Sequence, residues 1–334
     1  MVKAGIIGAG RMGKAHAGNL AKLQSVKLTA VYDIDPAQAA AMKENYPTME
    51  IMDSAEALVN SPEVDLIIIA SPTYCHKEGI MAAMATGKPI FCEKPLCRTQ
   101  AELDELAPML RNYNNLFAIG FVRRYSASFM TLQQLINDGK IGKLIGASVN
   151  CLFGAYAREW GDWFTDYQKS GGVILDMLAH HCDLLNALFG KPEAVYARAM
   201  MLDKNEVKPR DYVSATVTYK DNSICNMECS WLRGGPSGVT FTIYGEKGAL
   251  KTNDTDISFY DIGGTETKIE VDEGILGPLQ ESISGGMYAT EMATITDCVL
   301  AGKKPAAGVE EAISAMEFSL AMMKSAETGE VSRI

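Results

Sequence analysis

The sequence predicts an α/β protein. An N-terminal doubly wound parallel sheet over residues 1–122 is followed by an α+β domain over residues 123–334 with a largely antiparallel sheet. Three observations carry this reading. Residues 1–122 alternate short, nearly continuous apolar runs with helical stretches, as strands covered on both faces do. The first apolar run ends in Gly8-Ala9-Gly10-Arg11-Met12-Gly13, a G-x-G-x-x-G turn. After Phe121 the rhythm changes to consecutive strand-like segments with short turns, which points to antiparallel pairing.

In order, residues 3–8 read as a buried strand, 11–23 as a helix and 27–33 as a second strand. Residues 36–46 form a helix with Asp35 as N-cap before Pro36. A short helix over 53–59 leads into the third strand, 65–71, whose core is Leu66-Ile67-Ile68-Ile69. A helix at 77–86, a strand at 89–93, a helix at 100–112 and a strand at 116–121 complete the set, joined by right-handed crossovers. In the second part, helices at 129–137 and 174–189 lie among strands at 144–153, 194–201, 212–219, 223–231, 239–244 and 257–260. Asp221-Asn222 and Gly245-Glu246-Lys247-Gly248 are hairpin-type turns, and helices at 291–300 and 310–327 close the chain. With no flexible linker between them, the domains are expected to pack around a cleft.

The 334 residues suit about two domains at roughly 150 each. An apolar fraction of 47% and a charged fraction of 22% exclude disordered, collagenous and disulfide-miniprotein classes. The net charge of −10 repels phosphate backbones and anionic lipid, so no nucleic-acid partner is expected. No apolar run approaches the ~20 residues of a membrane span, and the opening residues lack a signal-peptide pattern. The eight cysteines form no CxxC pair and are expected as reduced, packed thiols of a cytoplasmic protein. The four histidines join them in no zinc spacing, so no metal is expected.

The Gly-rich turn follows a strand and opens a helix, and Asp33 stands about 20 residues beyond Gly13 at the end of the next strand. In that pattern Gly8 permits the tight turn, Gly10 lets backbone approach a pyrophosphate, and Gly13 lets helix pack on strand. Arg11 and Met12 sit at the helix N-terminus, whose N–H groups and dipole favour the phosphates. Asp33 accepts from ribose hydroxyls and repels a 2′-phosphate, which favours NAD over NADP. Ser71, Pro72 and Thr73, at the end of the third strand, are further cofactor candidates. His76 either borders the nicotinamide or starts the next helix.

Glu93-Lys94-Pro95 ends an apolar strand, where open α/β sheets place ligands, which makes Glu93 and Lys94 cofactor candidates, although a solvated strand end has the same look. At 100° per residue from Asp176, His180 falls near about 40° and Asp183 near about 340°, opposite the stripe of Ile174, Leu178, Cys182, Leu185 and Phe189. A carboxylate one turn from an imidazole can orient it and tune it, while the same pattern also suits the wet face of an amphipathic helix. His181 falls where packing is the better reading.

These segments, with Gly120-Phe121-Val122-Arg123-Arg124-Tyr125 and the Gly171-Gly172-x-x-x-Asp176-x-x-x-His180-x-x-Asp183 helix, resemble the Gfo/Idh/MocA oxidoreductase family in order and spacing over essentially the whole chain. Within it they resemble the inositol dehydrogenases most. The resemblance implies a Rossmann domain, a second domain with a large, mostly antiparallel open sheet, a cofactor in the cleft, and a homodimer or homotetramer joined through that sheet. It also implies Lys94, Asp176 and His180 as the catalytic trio. An imidazole, with an unperturbed pKa near ~6.5, is the natural base for a secondary hydroxyl, whereas a lysine near ~10.4 better positions the oxygen and stabilises its charge. Asp176 then orients His180 or binds a neighbouring hydroxyl.

The match loosens at Ser126, Leu178 and His181, where family members often carry Asp, Gly and Asp. Substrate contacts are expected from Arg124, Tyr156, Trp163, Asp176 and His180. The aromatic segment 156–167 suits a sugar ring, a lid's own packing or a subunit contact. The function expected is NAD-dependent oxidation of a ring polyol or sugar, inositol-like first. The alternatives are a glycoside-cleaving enzyme that retains NAD and a non-catalytic NAD-binding regulator.

Overall fold

Short, largely apolar strands build the first sheet: Ile67, Ile68 and Ile69 are each 0% exposed, as buried parallel strands require. The computed structural model describes residues 1–153, 163–200, 212–231, 238–271 and 286–334. The chain forms two compact units, Met1–Tyr125 with Leu276–Ile313 and Ser126–Ile275 with Ser314–Ile334.

In the first unit β1 (Val2–Ile7), β2 (Val26–Tyr32), β3 (Glu50–Ile51), β4 (Leu66–Ile69), β5 (Ile90–Cys92) and β6 (Phe117–Ile119) lie in the order β3-β2-β1-β4-β5-β6. Every pairing is parallel. The order reverses between β1 and β4, and ligands of such sheets bind at the carboxyl ends of the strands there. The connecting helices are α1 (Arg11–Leu20), α2 (Pro36–Asn45), α3 (Ala55–Asn60), α4 (His76–Met84) and α5 (Gln100–Arg111). Their starts follow local chemistry: the Asp35 side chain caps α2, Ser54 caps α3, and Thr99 with Glu102 forms a capping box on α5.

The first unit draws on two stretches of the chain. Helix α9 (Met287–Ala301) belongs to the first unit, where Met292 and Ile295 share a core with Ile6, Leu20 and Phe91. The reason is packing: α9 covers α1 and the β1 side of the sheet with apolar surface that would otherwise face water.

The second unit carries a nine-stranded sheet: β7 (Leu144–Leu152), β8 (Ala194–Met200), β9 (Tyr212–Thr218), β10 (Ile224–Ser230), β11 (Gly238–Gly245), β12 (Gly248–Thr252), β13 (Ile257–Asp261), β14 (Glu266–Ile269) and β15 (Ser332–Arg333). Their order is β14-β13-β12-β11-β7-β10-β9-β8-β15. β7 and β10 run parallel and the other pairs antiparallel. Residues alternate across it. Val149, Cys151, Val213, Val217, Cys225, Met227 and Phe241 are buried, while Tyr196, Thr216, Asn226 and Tyr244 on the other face are exposed.

The helices of this unit are α6 (Ala127–Asn137), α7 (Tyr167–Ser170), α8 (Ala179–Phe189) and most of α10 (Val309–Thr328). α10 is joined to the sheet by the Ala197 N–H, which donates to Ser325 Oγ at 2.8 Å, and to α8 by Asn186, which donates to Ser314 Oγ at 3.0 Å. All eight cysteines are free thiols, seven of them buried. Among the described residues no helix is long and apolar enough to cross a membrane.

The stretch 174–189 is not one α-helix. Ile174–Leu178 form a π-turn that runs into α8, so a 100° step does not carry across it. Asp176 and His180 are nonetheless half-buried, while Leu175, Leu178 and Cys182 are each 0% exposed. Asp183, expected on the face of Asp176 and His180, is itself 0% exposed.

Candidate active site

Three glycines shape the turn between β1 and α1 for three different reasons. Gly8 adopts φ +97°, and a Cβ there would meet the Ser71 backbone nitrogen at 2.6 Å. A Cβ on Gly13 would stand 1.9 Å from the Gly8 carbonyl oxygen, so only glycine lets α1 lie this close to β1. A Cβ on Gly10 would meet nothing within 4 Å. Gly10 is exposed and caps α1 without a side-chain hydrogen bond, so the turn offers space and helix N-terminal donors rather than protein atoms. Arg11 is exposed and Met12 half-buried beside it.

Asp33 locks this turn from the end of β2. Its Oδ2 accepts from the Ala9 N–H at 2.6 Å and its Oδ1 from the Asp35 N–H at 2.9 Å. A carboxylate has about four acceptor sites, so each oxygen keeps capacity for a ribose hydroxyl. At the end of β4, Ser71 Oγ is buried and has no partner among the described residues, an unmet polar group at the switch point. An open Gly10, an uncapped helix start, an acid on β2 and an orphaned hydroxyl on β4 together fit a dinucleotide.

The neighbouring candidates divide. Pro72 is half-buried and Thr73 is 4% exposed in a 3-10 turn, Thr73–Cys75. His76 is 1% exposed, with Nδ1 2.7 Å from the Pro95 carbonyl oxygen and Nε2 3.0 Å from that of Ser71. Burial pushes its imidazole down, against those two contacts and the charge of Glu93. A neutral imidazole has one N–H, so it donates to one of these two carbonyls while lying against both, between the ends of β4 and β5.

Lys94 stands half-buried at the end of β5, and its bond to Pro95 is cis. Glu93 turns inward and is 6% exposed. It lies 2.6 Å from His16 Nε2 and accepts from the Lys94 N–H at 3.1 Å. Burial alone would push it up, but the hydrogen bond and charge of His16, with Lys94, more than offset this and hold it below the usual range. Arg124, expected at the substrate, donates from one guanidinium nitrogen to the Ala306 carbonyl at 2.8 Å.

In the second unit the π-turn sets Asp176 four residues before His180, both half-buried. His181 is 1% exposed and donates from Nδ1 to the Met177 carbonyl at 3.2 Å, a packing role. Trp163 opens a 3-10 turn, Trp163–Thr165, and stacks on Phe164 at 3.9 Å. Tyr156 lies outside the described residues.

Sequence reasoning missed His16, Tyr288 and Glu291. His16 shares the inward face of α1 with Gly13, Ala17 and Leu20, where helical spacing marks it as core. Glu291 is buried on α9 with both carboxylate oxygens unpartnered among the described residues, a charge that no local pattern separates from an exposed one.

The 3-2-1-4-5-6 sheet, the Gly-rich turn and the acid on β2 define a dinucleotide-binding oxidoreductase class. Residues 2–121 match the oxidoreductase family with NAD-binding Rossmann fold, and residues 129–251 match the GFO/IDH/MocA C-terminal domain. The chain is 26% identical over 340 residues to the myo-inositol 2-dehydrogenase of Thermotoga maritima, covering 98% of this chain and 96% of that protein. It is 30% identical over 255 residues to an inositol 2-dehydrogenase of Rhizobium meliloti, covering 75% and 74%. A levoglucosan dehydrogenase solved with NADH and levoglucosan shares the fold, with a TM-score of 0.89 at 20% identity over 100% of this chain and 99% of that one. The chain belongs to the Gfo/Idh/MocA family and is an NAD-dependent dehydrogenase.

Proposed function

We propose that this enzyme oxidises a secondary hydroxyl of a cyclic polyol or sugar, with an inositol as the first candidate. The observation that carries the reading is the near full-length similarity to a myo-inositol 2-dehydrogenase. The nicotinamide, when bound, supplies the hydride acceptor. Gly8, Gly10, Gly13 and the first residues of α1 hold the pyrophosphate, and Asp33 binds the adenosine ribose and disfavours a 2′-phosphate. His180 takes the hydroxyl proton, Asp176 orients its ring or binds a neighbouring hydroxyl, and Lys94 positions the oxygen and steadies its developing charge. Arg124 and Trp163 hold the ring.

The test is a panel of inositols, aldoses and glycosides mixed with NAD and purified enzyme, followed by nicotinamide absorbance. NADH formation with one stereochemical subset supports the reading. Tight NAD binding without NADH from any of them sinks it and favours a retained-cofactor glycosidase or a regulator.

The second unit's open sheet face joins protomers into a homodimer or homotetramer. Supporting this, Tyr196, Met200, Ile224 and Tyr244 are 43%, 58%, 51% and 46% exposed on one face of that sheet.

A further inference from the structure

Three ionisable side chains from three segments of the first unit converge beside Lys94: His16 on α1, Glu93 after β5 and Glu291 on α9, at 0%, 6% and 0% exposure. A carboxylate only accepts, so the 2.6 Å contact is His16 Nε2–H donating to Glu93 Oε1. The other oxygen, Oε2, accepts from the Lys94 backbone N–H. The His16 ring stands edge-on to Phe91 at 5.1 Å and to Tyr288 at 6.3 Å. A Cβ on Gly120 would lie only 3.0 Å from Oε2.

His16 sits one turn after Gly13, so the helix whose start faces the pyrophosphate also carries the donor that fixes Glu93. We propose that His16 is a positioning residue for the reaction: through Glu93 it locks the main chain of Lys94 to the cofactor-binding helix and so aims the Lys94 ammonium. This rests on the reading of Lys94 as catalytic. The charged and titratable groups acting on Glu93 and its surroundings are His16 and Arg11 on α1, His76 on α4, Cys92 on β5, Lys94, Arg123 in the 122–125 turn, and Tyr288 and Glu291 on α9. Burial, and then the charge of Glu93, push the Glu291 carboxyl well up, while Glu93 is held below the usual range.

The apoprotein, labelled with ¹⁵N-lysine, gives a readout that needs no substrate, the Lys94 amide being assigned by its loss in Lys94→Arg. In the wild type that amide resonance should stay fixed between about pH 5.5 and about pH 8.5, because Glu93 stays ionised. His16→Phe keeps the ring and removes the donor. Its Lys94 amide should shift and titrate within that range. Its kcat on the substrate found by the panel should fall roughly 10- to 100-fold while NAD affinity changes less than about 3-fold. His16→Gln, which can donate again, should recover most of both signals, and Glu291→Gln should leave both unchanged.

A His16→Phe amide that matches the wild type overturns the inference, as does a parallel loss of NAD affinity and kcat. Should His16→Phe not fold, the wild type decides, since an amide that titrates in that range overturns it too. Lys94→Ala, measured beside them, separates the two claims: an active Lys94→Ala removes Lys94 from the chemistry whatever His16 does.

Discussion

Replacing Gly10 with alanine separates ligand binding from folding with one methyl group. Gly10 has φ −72°, which any residue adopts, and its added Cβ meets nothing within 4 Å. The unfolded chain loses freedom, a gain of about 0.4–1 kcal/mol that the poorer alanine N-cap offsets, so stability should change by less than about 1 kcal/mol. The methyl would occupy the space that a pyrophosphate needs against the backbone, and NAD affinity should fall at least about 10-fold, or roughly 1.4 kcal/mol.

Gly13→Ala should behave in the opposite way. Its Cβ would stand 1.9 Å from a backbone oxygen, so α1 must move by more than about 1 Å, at a cost of about 1–3 kcal/mol or more and a drop in Tm of several degrees. Calorimetric titration with NAD and a thermal melt on each variant make the comparison. A Gly10→Ala protein that binds NAD like the wild type would refute the placement of the pyrophosphate, and a Gly13→Ala protein melting with the wild type would refute the steric account of α1.

Lys94→Ala should abolish NADH formation while leaving the NAD dissociation constant within about 3-fold, read by steady-state rates and titration. Glu291 has its folded-state pKa raised above the unfolded value near 4.5, so the stability tied to its proton is intact below that pH and lost as pH rises toward the folded value. Melts of Glu291→Gln against wild type should therefore diverge in the variant's favour above about pH 4.5, by up to about 1.4 kcal/mol per pH unit, and a constant offset from acid to neutral pH would contradict this. Ile224→Glu, on the open sheet face, should lower the mass measured by light scattering toward one protomer with its far-ultraviolet spectrum intact.

The first sheet was readable because its strands are buried on both faces and become apolar runs, as Leu66–Ile69 does. The Gly-rich turn was readable because each glycine answers a separate steric demand. Strands β3, β12, β14 and β15 were not foreseen. β3 and β15 are two residues long, and β14 is an edge strand with Glu266, Thr267 and Lys268 exposed. Pairing by a neighbour makes them strands, not composition. Helix α9 was visible as a helix, but its return to the first unit depends on which apolar surface it covers, and distance along the chain does not encode that. The π-turn at Ile174–Leu178 has no propensity signature, so the phases of Asp176, His180 and Asp183 could not be carried through it. His16 and Glu93 lie 77 residues apart, and a buried hydrogen bond of that separation appears in sequence as one core histidine and one strand-end acid.

The measurement that bears most directly on the central claim uses myo-inositol carrying deuterium at each carbinol carbon in turn, incubated with NAD and enzyme, with the reduced cofactor read by mass spectrometry. Label from one ring position should appear in the reduced nicotinamide, and Lys94→Ala should show no transfer. Reduced cofactor that carries no deuterium from any position, or no reduced cofactor at all, would contradict direct hydride transfer from the polyol ring.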